Sequence, residues 1–245
     1  MMRLALETAS HWIGVALLDG ERVLAEFHEQ RPTGQSGALT PAVRLVLERA
    51  GVTLAEVRGL AVCEGPGSFT GLRVGAAFGR ALADARGIPI VPVPATLALA
   101  LGAAVEVASP ARVVMAAAGD VAFSQALAAA SGRVVEVVAS TGLEPASMSA
   151  AAAGRGLPVP VAAAPLERIC YAELVSAPAA AGEVWVCDPV AAGKLVGAAA
   201  RLVVLEPRAA WVGVYAERAG RAAPAREFLP VYGHRPAFRK RVRPT

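Results

Sequence analysis

The residues with the most chemical content lie at 64–73, EGPGSFTGLR. Gly65 and Gly67 permit close backbone approach or a left-handed conformation, Pro66 stiffens the turn, and Ser68 is placed to cap a following helix through its hydroxyl. A strand, a glycine turn and a helix N-terminus together form a geometry that suits anions. The named nucleotide motifs do not fit. There is no GxxxxGK followed by Ser or Thr, the turn lacks the third glycine of GxGxxG, and its serine comes one place too early for GxSxG. Glu7, Thr8 and Ser10, near the end of the first apolar run, are the other polar residues placed to serve such a turn. A weak nucleotide site would use Glu7, Thr8, Ser10, Gly65, Gly67 and Ser68; alternatively Thr8 and Ser10 only satisfy turn backbone.

Metal and thiol chemistry have less support. No two of His11, His28 and His234 stand four apart, so no helix carries a histidine pair, and neither metal ligands nor a cofactor are expected. Cys63, Cys170 and Cys187 are an odd, widely spaced set that reads as core filler in a reducing cytoplasm rather than as a disulfide framework.

Around these residues the chain reads as α/β. With 245 residues, 55% of them hydrophobic and 18% charged, it is long and apolar enough to bury a full core. Strands are expected at 3–8, 12–19 and 23–27, a helix at 40–51 with Pro41 at its first position, a strand at 57–63, a helix at 69–86 closed by Gly87, and a strand at 88–93. Gly71, Gly75 and Gly79 recur every fourth residue and share one face of the second helix. Each costs about 1 kcal/mol against alanine, so close packing must offset them.

The longest uncharged run, 88–105, carries Pro89, Pro92 and Pro94 and is too broken for a span of about 20 residues, so no membrane segment is expected. The second half offers a helix at 96–105 and strands at 112–116, 122–128, 133–139, 183–187 and 201–205, then a helix at 208–218. Two lobes follow: 1–100, completed by the helix near 207–220, and a partly repeated lobe at 101–206. The net charge is +4, but the last eleven residues hold five basic side chains and no acid. The basic character therefore belongs to the tail, 235–245, which reads as a solvated terminus with phosphate contact as the alternative.

The run GPGSFTGLRVG, followed by a helix of small residues and GIPIVPVPATLALA, resembles the TsaB (YeaZ) family. The opening LALETASHWIGVALLDG and the closing FLPVY add to the likeness. The resemblance implies a two-lobed actin-like fold of the sugar-kinase and Hsp70 superfamily, with mixed sheets. It implies a non-catalytic subunit of the complex that installs N6-threonylcarbamoyl on adenosine 37 of tRNAs reading ANN codons. The expected partners are TsaD, TsaE and, through the complex, tRNA; self-association is a further expectation. No catalytic residue is expected in this chain. In that family the two helices form a bundle with the partner, which points here to Ala42, Leu45, Leu72, Arg73, Ala76, Ala77, Arg80 and Ala81. The sequence departs from the family at 115–123, where only Asp120 keeps an expected acid, and at Gly233 and His234. The alternative reading is a stand-alone nucleotide-binding phosphotransferase, for which the first lobe offers no suitably placed aspartate. A metallopeptidase is argued against by the missing histidine pair.

Overall fold

The computed structural model describes residues 1–103, 111–117, 119–127, 166–218 and 221–231. The first sheet has the order β3-β2-β1-β4-β5, built from β1 (Met2–Glu7), β2 (Trp12–Asp19), β3 (Arg22–Gln30), β4 (Gly59–Gly65) and β5 (Ile90–Pro94). β1, β2 and β3 run antiparallel to their neighbours, whereas β1–β4 and β4–β5 pair in parallel. The second sheet repeats this plan in the order β10-β9-β6-β7-β8, from β6 (Ala111–Ala116), β7 (Val121–Leu127), β8 (Glu167–Cys170), β9 (Val184–Cys187) and β10 (Arg201–Val204). Again three antiparallel strands lead into two parallel pairings. This is the two-lobed actin-like α/β arrangement.

Strand alternation sorts the first sheet's side chains onto two faces. Leu4, Leu6, Val15, Leu60 and Val62 pack beneath α1 (Gln35–Ala50) and α2 (Phe69–Arg86). Ala5, Ala16, Leu18, Ala61 and Cys63 face the opposite way, toward α3 (Ala95–Ala103) and the C-terminal helix Ala209–Arg218. Those two helices share a core with Val113, Met115, Phe123 and Val186 of the second sheet, so they form the layer between the sheets. The far face of the second sheet is covered by the short helices α4 (Tyr171–Ser176) and α5 (Pro189–Lys194); the C-terminal helix is thus α6 among the described residues.

Two sequence expectations change. Helix α1 begins at Gln35 rather than near 40, and Pro41 lies inside it. Gln35 is buried, and its amide donates to the carbonyl oxygens of Ser10 (3.0 Å) and Trp12 (3.2 Å), so a long-range tie draws the start of the helix upstream. In the second sheet the place expected for 133–139 is held by Glu167–Cys170, which pairs with β7; residues 133–139 lie outside the described residues, as do 104–105 of the expected third helix. Gly51 and Gly87 end α1 and α2 in the left-handed conformation, their N–H groups satisfying the last turns. No helix among the described residues is long and apolar enough to cross a membrane.

Candidate functional site

The glycine turn follows β4 and enters α2 through Ser68, whose Oγ accepts from the Gly71 N–H at 3.2 Å, the capping role its position predicts. Gly65 stands at φ +109, where a side chain is strained, and a Cβ there would lie 2.5 Å from the Val231 carbonyl oxygen. A Cβ on Gly67 would meet the Ala9 carbonyl oxygen at 2.0 Å. That carbonyl also accepts from the Ser68 N–H at 2.6 Å. On this side the turn is packed against the chain's own β1–β2 connection.

The glycine stripe of α2 has the same explanation. Added methyls would lie 1.9 Å from the Thr8 carbonyl oxygen at Gly71, 2.3 Å from Thr8 Oγ1 at Gly75, and 2.9 Å from Val62 Cγ2 at Gly79. The helix backbone rests on the sheet and its first turn, and this contact offsets the poor helix propensity of three glycines.

Of the six residues proposed around a nucleotide, three are buried. Glu7 is buried, and its Oε1 accepts from the N–H groups of Ala9 (2.8 Å) and Ser10 (3.1 Å). Burial pushes its carboxyl above the ordinary range, opposed by hydrogen bonds from Cys63, Ser10 and Ala9. Thr8 is fully buried against Gly75, and Gly65 is held by Val231. Ser10, Gly67 and Ser68 do reach an open space, a cleft of about 450 Å³ between the lobes.

The cleft's opposite wall comes from β6, Phe123, Arg168 and the start of α5, and it includes residues that sequence reasoning missed. Asp188 is the chief one. Its Oδ1 accepts from Val190 (2.9 Å) and Ala191 (3.1 Å), and its Oδ2 accepts from Ala116 (2.6 Å). Burial raises its pKa and these backbone donors oppose the rise. An Asp directly before Pro189 is a helix-start signal that was available in the sequence. Lys194, also on this wall, donates to the Gly119 carbonyl and to Asp120 Oδ1 (3.2 Å).

His11 and His28, the histidines among the described residues, have different surroundings. His11 borders the cleft. His28 Nε2 lies 3.0 Å from Glu206 Oε2, with its pKa lowered mainly by burial and then by Arg208. His234 and the basic tail lie outside the described residues. Among the described residues, no three His, Cys, Asp or Glu side chains form a group able to hold a metal ion.

The helix pair named for partner binding divides by burial. Ala42 of α1 and Leu72 and Ala76 of α2 are core residues of this chain, the stripe turning that side of α2 onto the sheet; they offer no surface to a partner. Arg73, Ala77 and Ala81 are exposed, and Leu45 and Arg80 are half-buried. The Arg73 guanidinium sits over the Phe69 ring, 3.9 Å from its centroid.

The family model of TsaD, tRNA N6-adenosine threonylcarbamoyltransferase, matches residues 34–217, which is most of the chain. YeaZ from Pseudomonas aeruginosa superposes with a TM-score of 0.69 at 26% identity, covering 94% of this chain and 99% of that one. The chain belongs to this family, on its TsaB (YeaZ) side. The TsaB proteins named tRNA threonylcarbamoyladenosine biosynthesis proteins are 35% identical over 103 residues in Escherichia coli and 33% over 100 residues in Bacillus subtilis. These matches take in 42% and 41% of this chain, and the chain spans 44% of the length of each of those TsaB relatives.

Proposed function

We propose that the chain is a non-catalytic partner subunit in tRNA threonylcarbamoyladenosine biosynthesis, binding a TsaD-type chain through the outer side of α1 and α2. The observation that carries the reading is the glycine turn closed on Ala9, with Glu7 committed to the same connection. A phosphate-gripping loop needs free N–H donors and room for oxygen atoms; here the Ala9 carbonyl takes the Ser68 N–H and fills the space beside Gly67. What remains available on α2 is a strip of small and cationic residues, Arg73, Ala77, Arg80 and Ala81, and on α1 half-buried Leu45. Such a strip admits a second helix at close range. Residues 1–100 with the helix near 207–220 would be the partner-binding lobe, and 101–206 the second lobe. TsaE joins the assembly in this proposal, tRNA is reached through it, and the setting is cytoplasmic.

The test mixes the purified chain with a TsaD-type chain from the same organism and follows association by size-exclusion chromatography with light scattering and by calorimetry. A stable heterodimer is expected. Ala77→Glu places a charge in the strip and should weaken association roughly tenfold or more while leaving the melting temperature unchanged. An unaltered affinity would remove α2 from the interface, and sustained ATP hydrolysis by the chain alone would favour the phosphotransferase reading.

A further inference from the structure

The segment after α6 returns to the first lobe and runs beside α2. Ala223 and Ile90 exchange both backbone hydrogen bonds, at 2.7 and 3.1 Å, as an antiparallel bridge on the outer edge of β5. Pro92 and Pro94 lack N–H donors, so that edge offers little further pairing, and the segment leaves it. Residues 222–225 then face Ala83, Asp84 and Gly87 at the end of α2 across an open pocket of about 500 Å³. A 3₁₀ turn, Ala225–Glu227, delivers Phe228 into the core beneath α2, where it is 2% exposed. Beyond it the Val231 N–H donates to the Glu64 carbonyl oxygen at 2.6 Å, and the Val231 carbonyl stands where a Gly65 side chain would be. By contrast Leu229, between the two anchors, is 68% exposed.

The segment thus packs with α2 through the 3₁₀ turn and Phe228, which share a core with Ala76 and Ala83, and meets the turn that starts α2 through Val231. Those contacts do not involve the interlobe cleft. We propose that residues 221–231 are a clasp that holds the 64–68 turn and fixes the position of α2. Because the proposed partner strip lies on α2, the clasp also sets partner affinity; this second part rests on the partner-subunit reading.

Hydrogen exchange of the full chain, read at 64–72, tests the clasp without any partner. Val231→Pro removes the donor to Glu64 and puts a ring carbon in its place, Phe228→Ala releases the core anchor, and Leu229→Ala is the control. Exchange at 64–72 should accelerate roughly fivefold or more in Val231→Pro, with the core of β1 still protected, and stay unchanged in Leu229→Ala. Phe228→Ala should do the same more strongly; if it unfolds the chain, Val231→Pro decides. Unchanged exchange in Val231→Pro overturns the clasp. In calorimetry with the TsaD-type chain, Val231→Pro should weaken binding several-fold. Faster exchange with wild-type affinity would overturn the coupling to the partner strip. If the wild-type chain does not bind at all, the partner reading has failed and the clasp stands or falls on exchange alone.

Discussion

Replacing glycine by alanine inside a helix ordinarily stabilises it by about 1 kcal/mol, and the stripe on α2 should reverse that sign. At Gly71 the new methyl would stand 1.9 Å from the Thr8 carbonyl oxygen, while ordinary contact begins near 3.4 Å. The helix start or the β1–β2 connection must therefore retreat by about 1.5 Å. That connection is held by Glu7 through Ala9 and Ser10, by Gln35 on Ser10, and by the Ser68 N–H on Ala9. Overpacking of this kind costs about 1–3 kcal/mol, and losing one of those hydrogen bonds adds about 1 kcal/mol. After the helix-propensity gain is subtracted, Gly71→Ala should lose about 1–3 kcal/mol, or about 2–12 °C in Tm for a chain of this size. Gly75→Ala meets a hydroxyl at 2.3 Å and Gly79→Ala a valine methyl at 2.9 Å, so the losses should fall in that order. Gly37→Ala on α1, with nothing within 4 Å, should be neutral or stabilising by up to about 1 kcal/mol. Urea denaturation followed by far-ultraviolet circular dichroism measures all four. A Gly71→Ala chain as stable as wild type, or one less affected than Gly79→Ala, would refute the argument that the stripe is seated on this chain's own backbone.

Glu7 supplies a pH test. Its folded pKa lies above the ordinary 4.5, so its contribution to stability is fully present below that value and is lost as pH rises through the folded pKa. Glu7→Gln keeps an oxygen for Ala9 and Ser10 and should flatten the loss of stability above pH 4.5, measured by urea midpoints from pH 4 to 8; an unchanged profile would show that Glu7 is not the group responsible. Arg208 donates to buried Glu26 at 2.9 and 3.2 Å while Glu26 also accepts from the Ala210 N–H, so Arg208→Ala should cost about 3 kcal/mol. The double variant Glu26→Gln with Arg208→Met should recover most of that loss, and a purely additive double-mutant cycle would contradict the pairing. Asp188→Ala removes the acceptor for three backbone N–H groups and should destabilise by about 2 kcal/mol, whereas an equally stable variant would mean that α5 does not depend on this cap.

Features that depend on near neighbours are legible in the sequence. Alternation of apolar residues placed the strands of the first sheet, Ser68 announced the start of α2, and Gly51 and Gly87 announced the ends of two helices. The run at 64–73 and its continuation carried the family likeness, because a glycine turn feeding a glycine-striped helix is a dense local pattern. Tertiary contacts decided the rest. The same glycines suit an anion or a neighbouring backbone equally well, and only the tertiary placement of Thr8, Ala9 and Val231 shows the backbone contacts they make. Periodicity placed Ala42, Leu72 and Ala76 on helices, but which side of each helix meets the sheet depends on a partner strand dozens of residues away. The early start of α1 follows from Gln35 reaching Ser10 and Trp12, and the third strand of the second sheet from pairing between 121–124 and 167–170. Local pattern fixes an element through bonds and contacts a few residues apart; burial and ligand access follow from contacts that the chain makes only once it is folded.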